Sequence, residues 1–351
     1  MATGDGASKG KINESLSQFL ARILDQLSIT AWLPALALVG IILILAQLSR
    51  HEGSSVEAFS AIGDMGFAAI GLLVAGVVIT TMFTQAFEFE AIRVLEGYWR
   101  PTGLVGAFAG WRSGRHRTKR KKLVDAHSGA LADAFRQVRQ NLRAAGYSSS
   151  VIDALDSYVT SVPMVSETTA ADKTAAKTLV SMWKARADPG VVQRVDGLAH
   201  RVDEYPALQH RVLPTRLGNI IRAVEDRVYD PAEGRLENFA IHVLDQLPRS
   251  IARAFREQRR RLDLYCGLVF VFGAAVVPSV ILGQLYGKEH RATAIVVPST
   301  IAILTLASYR AALASGRKFG LALAAIKEHR DRQAATPSDP HQAADLQGPP
   351  P

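Results

Sequence analysis

An all-α fold, with four transmembrane helices and a mainly helical cytosolic domain between helices 2 and 3, is what this 351-residue sequence predicts. Three observations carry that expectation. Four apolar runs have membrane-spanning length, basic residues crowd their flanks on one side, and the long polar stretch between the second and third runs is periodic in the helical sense.

A hydrocarbon core about 30 Å thick is crossed by roughly 20 apolar helical residues. Runs of that kind occupy 29–48, 66–86, 264–286 and 292–312. The first holds no ionisable side chain, and in the others charge arrives only at or near an end. The first run is too long for the apolar region of a signal peptide, and no small-residue cleavage site precedes Arg50, so it reads as a signal anchor.

Orientation follows from where the basic residues fall. The loop at 49–65 carries Arg50 against Glu52, Glu57 and Asp64. Arginines and lysines are dense after the second run (Arg93 to Lys122), ahead of the third (Arg249 to Arg261) and after the fourth (Arg310 to Lys327). Only the short turn with Lys288 and Arg291 is discordant. Both termini are therefore expected in the cytosol.

The resulting division is a cytosolic tail and interfacial amphipathic helix at 1–28, a transmembrane hairpin at 29–86, a cytosolic helical domain at 87–262, a second hairpin at 263–312, and a cytosolic tail at 313–351 that is disordered from about 333. The amphipathic stripe runs through Ile12, Leu16, Phe19, Leu20, Ile23, Leu24 and Leu27.

Lysine and arginine number 41 against 32 acidic residues, a net charge of +9. The 30 arginines against 11 lysines, with abundant alanine, fit a GC-rich bacterial genome and hence a bacterial plasma membrane. The densest basic run is Trp111 to Lys122. Its Arg112, Arg115, Arg117, Lys119, Arg120, Lys121 and Lys122 are read as contacts to anionic lipid, worth about 1 kcal/mol per charge near the surface. Nucleic acid is not expected as a partner, because no zinc finger, recognition helix or aromatic-interleaved sheet accompanies the charge.

Helices in lipid associate through small residues that let backbones approach. Such faces are Ala68, Gly71 and Ala75 in the second run, Ala275, Ser279 and Gly283 in the third, and Ala307, Ala311 and Ser315 in the fourth. They serve packing within the chain or between copies, and a homo-oligomer is expected. Val-Val-Pro-Ser occurs at 276–279 and again at 296–299. The matched Pro278 and Pro298 each remove a backbone donor, with Ser279 and Ser299 placed to help re-satisfy freed carbonyls. They form a candidate hinge, although two tolerated prolines in a tightly packed hairpin are the simpler account.

Within the middle region Leu131, Ala134, Phe135, Val138 and Leu142 make an apolar helical face ending at Gly146. Ser150 is a candidate cap for a short helix that stops before Pro163, and a longer helix is expected over 168–187 with Leu179, Met182 and Trp183 inward. Asp188-Pro189-Gly190 reads as a turn. Further helices are expected at 191–205, 217–228 and 236–247, and one from about Arg249 running into the third span.

Two segments stand apart. The second span continues as EFEAIRVLEGYW, with Ile92, Leu95 and Trp99 on one helical face. Leu213 to Asn219 (LPTRLGN) precedes a helix in which Thr215 is a candidate cap and Glu225 and Asp226 are acidic. LEGYW beside a membrane helix and PTRLGN before an acidic helix resemble motifs of uncharacterised actinobacterial multi-pass membrane proteins. The resemblance spans some 40 residues and implies a membrane location and a cytosolic middle region, but no activity. The downstream AIHVLDQLPRS lacks the Trp-Pro-Arg expected there. On these grounds Glu96, Tyr98, Trp99, Pro214, Thr215 and Asn219 form a candidate interaction motif.

No catalytic, metal or cofactor site is legible, and an enzyme is not expected. Gly6-Ala7-Ser8-Lys9-Gly10 matches a nucleophile pattern only literally, with no strand before it. The glycine spacing at 4–11 is too long for a phosphate loop, and Ile12 stands where Ser or Thr is needed. The nine histidines are scattered, and the single Cys266 excludes an intrachain disulfide. Glu88 and Glu90, two apart, should face different sides of their helix, as should the adjacent Glu225 and Asp226. The function expected is a membrane-anchored interaction or scaffold protein binding lipid and an unidentified protein partner. The alternative is an oligomeric channel gated by the cytosolic domain.

Overall fold

The computed structural model describes residues 29–51, 54–63, 66–100, 102–160, 174–175, 178–180, 183–228, 247–286 and 291–335. The helix expected at 12–27, residues 236–246 of the one expected at 236–247, Met182 and the tail beyond 335 lie outside the described residues. In chain order the helices are α1 (Ile29–Arg50), α2 (Ser55–Gly63), α3 (Phe67–Glu96), α4 (Gly103–Ala144), α5 (Ser149–Thr160), α6 (Pro189–Val202), α7 (Arg216–Val228), α8 (Arg249–Tyr286) and α9 (Arg291–Ala335). Two short 3-10 turns accompany them, and no strand occurs among the described residues. α1, α3, α8 and α9 are long and apolar enough to cross a membrane. The chain divides into two compact units, residues 29–98 with 247–335 and residues 99–228.

In the first unit α8 packs against α9, α1 and α3, while α1 also packs on α3. The 38 residues of α8 and 45 of α9 correspond to about 57 and 68 Å of helix, roughly twice the thickness of a hydrocarbon core. The excess forms an antiparallel stem. Phe255 meets Phe319 at 5.3 Å between ring centroids, and the Ser315 hydroxyl donates to the Gln258 carbonyl at 3.4 Å. Buried Phe255, Leu262 and Val269 on α8 and Ala312, Phe319 and Ile326 on α9 recur seven residues apart, the spacing of a coiled-coil seam. Residues 313–335, expected to be tail, are therefore helix. A heptad seam outlasts the apolar run because it needs only two positions in seven to be apolar.

Near the connection the two helices nearly touch: a Cβ on Gly283 would lie 2.8 Å from the Ala294 carbonyl oxygen. Ala275 and Ser279 are buried on the same side of α8, as the small-residue face anticipated. On α9 the buried small residues are Ser308, Ala312 and Ser315, whereas Ala307 is exposed. Ser315 is thus buried as expected, while Ser308 and Ala312 take the places expected of Ala307 and Ala311. On α3, Gly71 and Ala75 are exposed and Gly71 has open space around it, so neither is buried by another described helix. The helix turns Val77, Thr81, Ala91 and Ile92 inward instead. Pro278 and Pro298 both sit inside helices that continue through them, and so does Pro34 of α1. The Ser279 hydroxyl donates to the Val276 carbonyl at 2.7 Å, while Ser299 is exposed.

α1, α3 and α8 enclose a crevice of about 290 Å³ in the first unit. Its lining includes Glu88 and Glu90, which were expected on different faces. The lining comes from three helices, and eight residues of α3 between Phe83 and Val94 take part in it, so it draws on more than one side of that helix and both carboxylates border it.

In the second unit, Ala134, Phe135, Val138 and Leu142 of α4 pack with Ile152 and Leu155 of α5, with Leu179 and Trp183, and with Val195 of α6. The face read from the sequence is this core. Ser148, rather than Ser150, caps α5, its hydroxyl accepting from the Val151 amide at 3.4 Å. Asp188 opens α6 rather than a simple turn. Its carboxylate accepts from the Gly190 and Val191 amides at 2.8 and 3.2 Å, with Pro189 in the first turn, where no amide is missed. The helix expected up to Ala187 has already tightened to a 3-10 turn at Trp183–Arg186.

Candidate membrane-surface interface

α3 ends where glycine allows it to end. Gly97 adopts φ 93°, the left-handed conformation that favours glycine, and the Tyr98 amide donates back to the Arg93 carbonyl at 3.0 Å. LEGYW is thus a helix stop. Trp99 lies past the end and does not share a face with Ile92 and Leu95 as expected. Within the second unit Trp99 stacks on Phe108 at 5.6 Å, Phe108 meets Trp111 at 5.6 Å, and the Arg115 guanidinium lies 5.1 Å over the Trp111 ring.

That ladder lies along α4. Leu104, Phe108, Trp111 and Arg115 fall at steps of four, three and four, which put them in one stripe on a helix. Leu104 is 91% exposed, Phe108 49% and Trp111 53%. Further along the same stripe come Lys119 and Lys122, both exposed. The helix surface therefore changes from apolar to aromatic to basic along its axis. Among the seven basic residues anticipated as lipid contacts, Arg115, Arg117, Lys119, Lys121 and Lys122 are exposed, and Arg112 is half-buried. None of these six forms an ion pair with a described carboxylate.

Arg120 is different. Its guanidinium donates to the Pro206 carbonyl at 2.9 Å and also to that of Ala207, so it clamps the turn after α6. One helical turn earlier, His116 Nδ1 lies 3.3 Å from the Tyr205 hydroxyl. Burial, and then the cations Arg112, Lys119, Arg216 and Arg115, hold the His116 pKa below the ordinary 6.5. Burial pushes Tyr205 up. As pH falls through 6.5 the unfolded chain binds this proton first, so the second unit is expected to lose stability from about pH 6.5 down to the depressed folded value. Equilibrium unfolding of wild type and His116→Gln between pH 7.5 and 5 checks this, and the substitution should flatten the slope.

The PTRLGN segment is built inward. The Thr215 hydroxyl accepts from the Gly218 amide at 3.1 Å and caps α7. Asn219 is 0% exposed. Its Oδ1 accepts from the Leu213 amide at 2.8 Å, and its Nδ2 donates to the carbonyls of Leu213 and Thr215 at 2.9 and 2.7 Å. The acidic residues around the turn are each matched: Glu204 with Arg216 at 2.8 Å, Asp226 with Arg211 at 2.8 Å, and Glu225 with Arg222 at 3.0 Å. Within the second unit, Thr215 and Asn219 hold a turn through their side chains. The sequence signals for the stripe were present, as apolar residues at helical spacing just ahead of the basic run. The contacts of His116 and Arg120 span 89 and 86 residues and had none.

Fold and surface together define a helical protein with four membrane-length helices and a separate helical unit between the second and third. No family model, curated protein or solved structure matches this chain. No group of three or more His, Cys, Asp or Glu side chains suited to a metal occurs among the described residues.

Proposed function

We propose that this chain is a membrane-anchored interaction protein of a bacterial plasma membrane, with its middle unit resting on the anionic cytosolic leaflet and offered there to a protein partner. The observation that carries the reading is the α4 stripe. Exposed leucine and aromatic rings followed by lysines and arginines that pair with no described carboxylate suit the boundary between acyl chains and phosphates, where each wants a different depth. The connection from α3 to α4 is six residues, so the stripe begins close along the chain to the end of a membrane-length helix. Basic flanks on the same side of the second, third and fourth runs support a cytosolic placement.

A nitroxide at Leu104→Cys, in a Cys266→Ala background, reports the depth of the stripe in the reconstituted full chain. With phosphatidylglycerol present it should be shielded from a water-soluble nickel chelate and open to oxygen. Changing Arg112, Arg115, Arg117, Lys119, Lys121 and Lys122 to glutamine should restore nickel access, as should high salt, which screens exposed charge. Equal water exposure in anionic and purely zwitterionic vesicles would overturn the placement. Crosslinking with affinity purification from native membranes then tests the partner, and a chain recovered alone and monomeric would overturn the interaction role.

A further inference from the structure

The crevice between α1, α3 and α8 is the least explained feature of the first unit. Its walls are apolar, with Phe83 and Phe87 from α3, Phe270 and Val271 from α8, and Pro34 and Leu38 from α1. The three helices meet at one end of their apolar runs. Glu88 lies two residues past the second run and Asp263 one residue before the third, so both carboxylates belong to the same membrane boundary. Pro34 closes the bottom: a Cβ on Gly267 would sit 3.3 Å from its ring, so only glycine admits this packing without displacement.

The charges around the crevice do not balance. Asp263 is paired with Arg259 at 3.1 Å, and Glu90 with Arg93 at 3.5 Å. Glu88, half-buried, has no ion-pair partner among the described residues. Among the described residues three carboxylates line the crevice and two guanidiniums pair with them, and the excess is one negative charge beside aromatic rings at the edge of the hydrocarbon.

We propose that this crevice binds a lipophilic organic cation, its charge set against Glu88 and its apolar body between Phe83, Phe87 and Phe270. A bare carboxylate at the membrane boundary is costly and is relieved by a counter-charge, which the rings also attract through their negative faces. A neutral acyl chain would desolvate Glu88 with nothing in return, and an anionic headgroup would be repelled by it. A cavity of about 150 Å³ holds one benzene ring. The 290 Å³ here therefore takes about two rings of an aryl cation. The site lies wholly in the first unit and does not depend on where the α4 stripe rests.

The test uses two ions of one shape and opposite charge, tetraphenylphosphonium and tetraphenylborate, and the full chain in phosphatidylcholine nanodiscs with protein-free discs as blank. Saturable retention of the phosphonium alone, at one per chain, is expected. Glu88→Gln, a change of charge at constant size, should weaken it about tenfold, the effect of losing one attractive charge. Ala274→Trp, on the exposed side of the lining, should fill the crevice and abolish retention while the chain remains folded by circular dichroism. Equal retention of both ions, no saturable phosphonium above the blank, or wild-type affinity in Glu88→Gln would each overturn the proposal. A co-purified phospholipid that the phosphonium fails to displace would overturn it in favour of an acyl chain.

Discussion

Gly283→Leu is expected to open the α8–α9 hairpin at its turn end and to destabilise the first unit by about 3 kcal/mol, the upper range for overpacking a close contact. The contact that a Cβ would make is with the Ala294 carbonyl oxygen, 2.8 Å away, and with the Ala294 Cα at 3.3 Å. These are backbone atoms, which cannot swing aside as the end of a flexible side chain can. Relief requires the helices to separate, and separation strips the buried seam that begins at Ser279 and Ala275. Gly71→Leu is the matched control. Gly71 also lies in a membrane-length helix but has open space around it, so its substitution should shift stability by no more than about 0.5 kcal/mol. Unfolding in mixed micelles of rising dodecyl sulfate content, followed by ellipticity, compares the two. Equal midpoints would show that the hairpin does not depend on this approach.

Asn219→Leu should unlock the turn that precedes α7. The leucine has the same branching and number of heavy atoms but leaves the Leu213 amide without its acceptor and the Leu213 carbonyl without its donor. The Thr215 carbonyl keeps the Asn219 backbone amide at 3.2 Å, so two buried groups are orphaned rather than three. At about 1–3 kcal/mol for each, the loss is about 2–6 kcal/mol. Asn219→Asp keeps the acceptor for the Leu213 amide but aims a negative oxygen at two carbonyls, and it should not rescue. Hydrogen exchange of the full chain reads this directly. Amides in 203–228 should exchange faster in both variants, while those of α4 and α5 around Phe135 and Leu155 keep more of their protection. Unchanged exchange at 213–219 would mean that the side chain is dispensable.

These expectations mark how differently the two halves of the chain could be read. The membrane-length helices were legible because length and apolarity are local properties, and so was the face from Leu131 to Leu142, because burial on one side of a helix repeats every three or four residues. Capping was half legible. Asp188 and Thr215 were recognisable as residues that stop or start something, but whether Asp-Pro-Gly closes a turn or opens α6 depends on the chain that follows. The stem was missed because Phe319, Leu323 and Ile326 are spread thinly among Lys318, Lys327 and Arg330, so hydropathy averages them away while a heptad count retains them.

The candidate sites divide in the same way. The basic run on α4 could be located from composition, and its orientation along the helix from spacing. That Arg120 is spent on the Pro206 and Ala207 carbonyls, while the other six pair with no described carboxylate, depends on a turn 86 residues away. Asn219 and Thr215 drew attention as a motif, and the structure explains the motif as internal scaffolding.

What the sequence by itself determined is which segments are helical, which are long and apolar enough to cross a membrane, and where positive charge gathers beside them. Each is set by the residue and its near neighbours through propensity, transfer free energy and Coulomb attraction. Only the tertiary structure decided that Glu88, Glu90 and Asp263 line one crevice and that Gly283 brings two backbones together. It also decided that Asn219 faces inward. Those facts depend on helices meeting at chosen depths and rotations, which the close packing of many distant side chains selects and no short window of sequence contains.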